Sequence, residues 1–231
     1  MGQIVAMGGG GFLMDDPVLD RFVVGLTDAR RPRICFLPTA SGDHPDSAAA
    51  FREAFPEASF DASILRLFDR DVADITAFLG DQDAVYVGGG NTVSMLAVWR
   101  AHGVDVALRE VSAAGVVLAG VSAGANCWFE ASTTDSFLLG RADPLRDGLG
   151  LIAGSFTPHY DGEPARRPAV HRLVGSGVLP DGHACDDFAA LHAVDGEVRA
   201  AVASRAGARA FRVERDGEGV SEVALEMRHL S

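Results

Sequence analysis

Residues 116–125 read V-V-L-A-G-V-S-A-G-A, and this run decides the fold. Val116, Val117 and Leu118 open an apolar stretch rich in β-branched residues, the signature of a strand buried on both faces. After Ser122, the residues Ala123, Gly124, Ala125, Asn126, Cys127, Trp128 and Phe129 suit the start of a helix. A serine at so sharp a strand-to-helix turn holds its hydroxyl clear of the backbone, at the carboxyl end of a sheet. Gly120 and Gly124 lack the Cβ atoms that would block the turn. The pattern is G-x-S-x-G, a nucleophile elbow.

Working outward from the elbow, strands and helices alternate through the first two thirds of the chain. Strands are expected at Ile4–Met7, Ile34–Leu37, Ile64–Phe68 and Ala84–Val87. Between them fall helical patterns at Pro17–Leu26, from Asp46 or Ser47 to Phe55, Val72–Leu79, Thr92–Ala101 and Val104–Ala113. This alternation predicts an α/β fold: a mostly parallel central sheet with helices on both faces and ligands at the carboxyl ends of its strands. Beyond the elbow come a strand at Leu151–Phe156 and a helix at Pro168–Val174. From about His183 the pattern changes to short strands, and Asp195-Gly196 and Asp216-Gly217 mark antiparallel β hairpins at the C-terminus. No repeat or linker divides the chain, so residues 1–231 read as a single domain whose β-rich tail, 183–231, packs on the core.

The formal net charge of −12 argues against a nucleic-acid surface and against anionic membranes. All 20 basic residues are arginine, which removes the lysine that a phosphate-binding loop requires. Three cysteines, Cys35, Cys127 and Cys185, lack metal-type spacing, which argues against zinc and against disulfides. No basic segment followed by an apolar one opens the chain, and no apolar run reaches the length of a membrane span. A cytoplasmic location is expected.

A serine nucleophile needs a base, usually histidine. Of the seven histidines, His159 stands out because it follows a strand end, and Pro158 restricts the backbone just before it. Gly88-Gly89-Gly90-Asn91-Thr92 is not a dinucleotide fingerprint, because Val93 occupies the last glycine position. Adjacent glycines do expose backbone N–H groups, and Gly89 and Gly90 together with the Ala123 N–H make a candidate oxyanion hole. Gly8 to Gly11 reads as a close-packed turn beside the site.

The acid that orients the base is harder to choose among 32 acidic residues. Asp161, Asp186 and Asp187 are available. Glu130 is preferred, since a continuous helix would put it about two turns beyond Ser122 on the same face. Asp135, after Thr133-Thr134, is the next choice, in a loop that could fold back over the site.

Four motifs in order, L-P-T-A-S at 37–41, V-G-G-G-N-T at 87–92, G-V-S-A-G-A at 120–125 and P-H-Y at 158–160, resemble the peptidase E and cyanophycinase family of serine peptidases. The resemblance covers roughly residues 1–200. It implies a fold like that of the class I glutamine amidotransferases, Ser122 as nucleophile, His159 as base, and cofactor-free hydrolysis through an acyl-enzyme with no metal. The acid varies among such relatives between aspartate and glutamate. Aspartyl dipeptidases of the family use an arginine beyond P-H-Y to hold the substrate carboxylate. The segment Asp161–Arg167 departs from their pattern, leaving Arg166, Arg167 and Arg172 as candidate guanidinium forks and Asn91 as a further substrate-binding candidate. The expected activity is hydrolysis of dipeptides or short peptides. β-Aspartyl or cyanophycin-type cleavage and a non-catalytic binding protein of the same fold remain the alternatives. The partners expected are a small peptide substrate and, at most, a second copy of the chain as a homodimer, with neither nucleic acid nor membrane.

Overall fold

The computed structural model describes residues 2–217 and 219–231. The amino-terminal half forms β1 (Gln3–Met7), α1 (Pro17–Val24), β2 (Arg33–Leu37), α2 (Pro45–Ala54), β3 (Asp61–Ile64), α3 (Ile75–Gly80), β4 (Ala84–Val87), α4 (Thr92–His102), α5 (Val104–Ala114) and β5 (Val117–Val121). The remainder forms α6 (Ala123–Asn126), β6 (Phe129–Thr134), β7 (Asp143–Leu145), β8 (Ile152–Thr157), α7 (Arg166–Gly175), β9 (Gly182–Cys185), β10 (Ala189–Val194), β11 (Glu197–Ala203), β12 (Ala210–Asp216), β13 (Gly219–Ala224) and β14 (Met227–His229).

One eight-stranded sheet has the order β14-β11-β10-β1-β5-β4-β2-β3. Its strands β1, β5, β4, β2 and β3 are mutually parallel, as the alternating pattern predicts, and β10 joins β1 antiparallel. The side-chain period of two sends neighbouring residues to opposite faces. Val85 and Val87 of β4 accordingly pack with Leu96, Trp99, Leu108 and Val111 of α4 and α5. Ala84 and Tyr86 pack with Leu19, Val23, Phe51 and Phe55 of α1 and α2 on the other face. Each fully buried side chain of this size contributes roughly 1.5–3 kcal/mol through removal from water. The hairpin at Asp195-Gly196 has positive φ at both residues (52° and 82°), as a type I′ turn requires.

Three local expectations change. β3 lies earlier than Ile64–Phe68, because the Asp43 carboxylate accepts hydrogen bonds from the Leu67 and Phe68 N–H groups (2.6 and 3.0 Å) and turns that stretch away from β2. The helix after Ser122 is a single turn ending at Asn126. Its expected continuation is instead β6, which pairs with β7 and β8. A second, six-stranded sheet follows from this, in the order β13-β12-β9-β8-β6-β7. One apolar cluster runs through both sheets, joining Ala6 and Leu118 to Phe129, Phe156 and Ala210. Among the described residues no helix is long and apolar enough to cross a membrane.

Candidate active site

Ser122 sits at φ 54° and ψ −112°, immediately after β5 and at the start of α6. A non-glycine residue held there stores on the order of 1–3 kcal/mol of backbone strain, which the surroundings must overcome. They do so by close packing: a Cβ on Gly120 would overlap the Gly124 carbonyl, and one on Gly124 would overlap the Val87 carbonyl. Both glycines of the elbow are therefore required sterically. Cys127 lies just past the turn, wholly buried, and burial pushes its thiol well above the usual range. It packs and donates to the Gly124 carbonyl (3.1 Å).

Three consecutive residues at the end of β1 gather the site. The Met7 carbonyl accepts from the Ser122 N–H at 3.1 Å, and the Gly8 carbonyl accepts from the His159 N–H at 3.3 Å. Gly9 forms a β-bridge with Asp187, and its carbonyl accepts from the Phe188 N–H at 3.0 Å. The sequence reading of Gly8 to Gly11 as a close-packed turn is thus accurate, since Cβ atoms at Gly8 and Gly9 would overlap the Asp186 carbonyl and Asp187 Oδ1. His159 follows β8 with φ 50°. Its Nδ1 lies 2.6 Å from Asp187 Oδ1, with both side chains about one fifth exposed. Asp161 accepts from the Asp187 N–H at 2.9 Å, so the P-H-Y-D loop wraps the carboxylate it uses.

The carboxylate on His159 is Asp187, which corrects the expectation of Glu130 or Asp135. Glu130 lies on strand β6, so it shares no helical face with Ser122, and its Oε2 accepts from the Gly154 N–H at 2.9 Å. Asp135, just past β6, faces the Arg166 guanidinium at 3.6 Å. Asp187 is among the acidic residues that the sequence leaves available for this place. Its signal was its place just before a strand that can pair antiparallel with β1, which sets the start of that strand beside the end of β1.

The glycine loop after β4 stands against the serine: a Cβ on Gly89 would lie 3.5 Å from Ser122 Cβ. Gly90 has φ 136° and passes so close to the Ala40 carbonyl that only glycine fits. The Asn91 N–H bonds that same carbonyl at 2.8 Å, which gives the L-P-T-A-S segment its role as the support of the loop. The N–H of Ala123 opens α6 and has no carbonyl one turn back to bond.

The substrate-binding candidates fare differently. Asn91 is occupied as the cap of α4, accepting from the Ser94 N–H at 2.8 Å and donating to the Ser136 carbonyl at 3.0 Å. Arg166 has a side chain only 3% exposed and bonds Glu163 at 2.7 Å, besides Asp135. Its Nη1 donates to the Thr133 carbonyl at 3.0 Å. Arg167 pairs with Glu222 at 3.0 Å and lies over the Tyr160 ring. Arg172 is exposed on α7.

A doubly covered parallel sheet that presents a serine elbow, with a histidine–aspartate pair on the same strand end, is the arrangement of an α/β hydrolytic enzyme. The family model described as "Peptidase family S51" matches residues 4–201, and the chain belongs to that peptidase family. It is 45% identical to the uncharacterized peptidase YgaJ of Bacillus subtilis across the full length of both chains. It is 32% identical to peptidase E of Streptomyces coelicolor over 55% of this chain and 51% of that one. Among solved structures, a peptidase from an acI-B1 Actinobacterium superposes with a TM-score of 0.70 at 17% identity, covering 97% of each chain. A putative peptidase E from Listeria monocytogenes gives 0.59 at 19% identity, covering 98% of this chain and all of the other. These two structures share its fold.

Proposed function

We propose that the chain is a serine peptidase that hydrolyses dipeptides or short peptides through an acyl-enzyme, with Ser122, His159 and Asp187 as its triad. The observation that carries this reading is the His159–Asp187 bond of 2.6 Å, held on the strand end that also holds the elbow serine. Asp187 accepts from His159 Nδ1–H, which leaves Nε2 as the basic nitrogen. His159 Nε2 takes the Ser122 proton as Oγ attacks the scissile carbonyl, and Asp187 balances the imidazolium that forms. The oxyanion is met by the Ala123 N–H and by the Gly89-Gly90 loop. His159 then gives its proton to the leaving amine. A water deprotonated by His159 attacks the ester, releasing the acid and restoring Ser122.

Charge around the site argues for breadth rather than an aspartate requirement. Arg166 is already neutralised by Glu163 and Asp135, so a substrate carboxylate would have to displace a protein one. A dipeptide panel spanning acidic, neutral and basic first residues tests this, with Ser122→Ala as the blank. Turnover of several neutral dipeptides by the parent protein alone is expected. Turnover confined to Asp-X would overturn the broad specificity, and equal turnover by Ser122→Ala would overturn the nucleophile.

A further inference from the structure

The residue directly after His159 belongs to a polar cluster that the triad itself does not use. Tyr160 is only 3% exposed and lies in an apolar cluster with Val170 and Leu173 of α7 and Phe211 of β12. Its hydroxyl donates to Glu222 Oε2 at 2.5 Å. His171 Nε2 lies 2.6 Å from that same oxygen, and Arg167 Nη2 lies 3.0 Å from Oε1. Arg167 also covers the Tyr160 ring, 4.7 Å from its centre. Glu222 comes from β13, where it stands opposite Val213 of β12. Val213 and Val220 pack in the cluster around Tyr160, and the period of two turns Glu222 to that same face. Arg167 and His171, four residues apart on α7, share the helix face that meets it.

A carboxylate only 17% exposed beside an apolar cluster is costly to desolvate, and a strand that merely packed against α7 would be served as well by an apolar residue. What the carboxylate adds is a fixed acceptor for the hydroxyl of the residue next to His159. Burial alone would raise the Glu222 carboxyl. The bonds from Tyr160 and His171 and the charge of Arg167 outweigh it and hold the group below the usual carboxylate range. Burial, and next the bond to Glu222, push the Tyr160 hydroxyl above its usual range, so it remains a donor. His159 needs support of this kind, because its φ of 50° is strained backbone for a residue other than glycine.

We infer that Glu222 is a positioning residue for the peptidase reaction: by holding the Tyr160 hydroxyl, it keeps the His159 imidazole in line between Asp187 and Ser122. The inference rests on the triad proposed above. Glu222 lies outside residues 4–201, the span of the family match, so that match assigns it no role.

Steady-state kinetics of Glu222→Met, Tyr160→Phe and the double variant on the best dipeptide, beside circular dichroism melts, tests the inference. Glu222→Met keeps the bulk and removes the acceptor. It is expected to lower kcat by about tenfold or more with KM within about twofold of the parent, since small misplacements of a reacting group are costly in rate. Glu222→Gln keeps an acceptor and is expected to recover most of that loss. Both residues act through one bond, so the double variant is expected to fall no further than Glu222→Met alone. Parent kcat in folded Glu222→Met, or losses that multiply in the double variant, would overturn the inference. Tyr160→Phe loses a single oxygen and is expected to show the same drop, and parent kcat there would overturn the inference even if Glu222→Met fails to fold. The same ratios, read as rates of fluorophosphonate labelling of Ser122, need no peptide substrate. A label on another residue would sink the triad, whereas equal labelling of Ser122 in the parent and both single variants would sink the role of Glu222 alone.

Discussion

Gly9 and Asp187 are joined by a β-bridge so close that any Cβ on Gly9 would overlap Asp187 Oδ1, the oxygen that lies on His159 Nδ1. The amino-terminal glycine turn is thus the mould for the carboxylate that lies on His159.

Gly9→Ala is accordingly expected to displace the Asp187 carboxylate while leaving the sheet intact. Misplacement by about 1 Å costs on the order of 10²-fold in rate. The measurement is kcat on the best dipeptide beside a circular dichroism melt. A variant with parent kcat would show that Asp187 does not need its observed position.

Asp187→Asn should lower kcat by about 10⁴-fold, since an amide in place of the carboxylate favours the wrong imidazole tautomer. Glu130→Gln, which loses only a charged acceptor for the Gly154 N–H, should stay within about twofold of the parent. Steady-state kinetics of the pair separates the two carboxylates, and the reverse ranking would restore Glu130 as the acid.

Such a choice was open in the sequence for a physical reason. The elbow, the glycine loop and His159 are local signals: short runs whose turns demand small residues or a fixed backbone. Asp187 reaches His159 through the pairing of β10 with β1, a contact between segments far apart in the sequence that no local period encodes. Glu130 shares a face with Ser122 only if the helix runs on, and the helix stops at Asn126 because Phe129–Thr134 is drawn into pairing with β8. The parallel core was legible from strand–helix alternation. The second sheet was not, because β6 to β9 come from segments that read as helix, loop or isolated strand until they pair with one another.

Arg166→Met retains the buried stem but removes the bonds to Glu163 and the Thr133 carbonyl. A stability loss of about 2 kcal/mol is expected in urea unfolding. The rate ratio for Asp-X over Ala-X dipeptides should change less than twofold. A selective loss of Asp-X turnover would assign Arg166 to the substrate.

Asp20 gives a pH signature of its own. Its folded pKa, raised by burial to about 7, exceeds the unfolded value, so the folded state holds the proton more tightly and stability falls as pH rises toward 7. Between pH 5 and pH 8 the parent should lose about 2–3 kcal/mol relative to Asp20→Asn. Urea titrations of both proteins at the two pH values measure the difference. A parent that gained stability relative to the variant over that window would contradict the sign.

The central claim is that Ser122 is the nucleophile activated by His159 and Asp187, and covalent labelling tests it most directly. A fluorophosphonate should add once per chain, with peptide mapping by mass spectrometry placing the adduct on Ser122. Labelling should vanish in Ser122→Ala and slow sharply in Asp187→Asn. An adduct on another residue, or peptide hydrolysis by Ser122→Ala at the parent rate, would contradict the account.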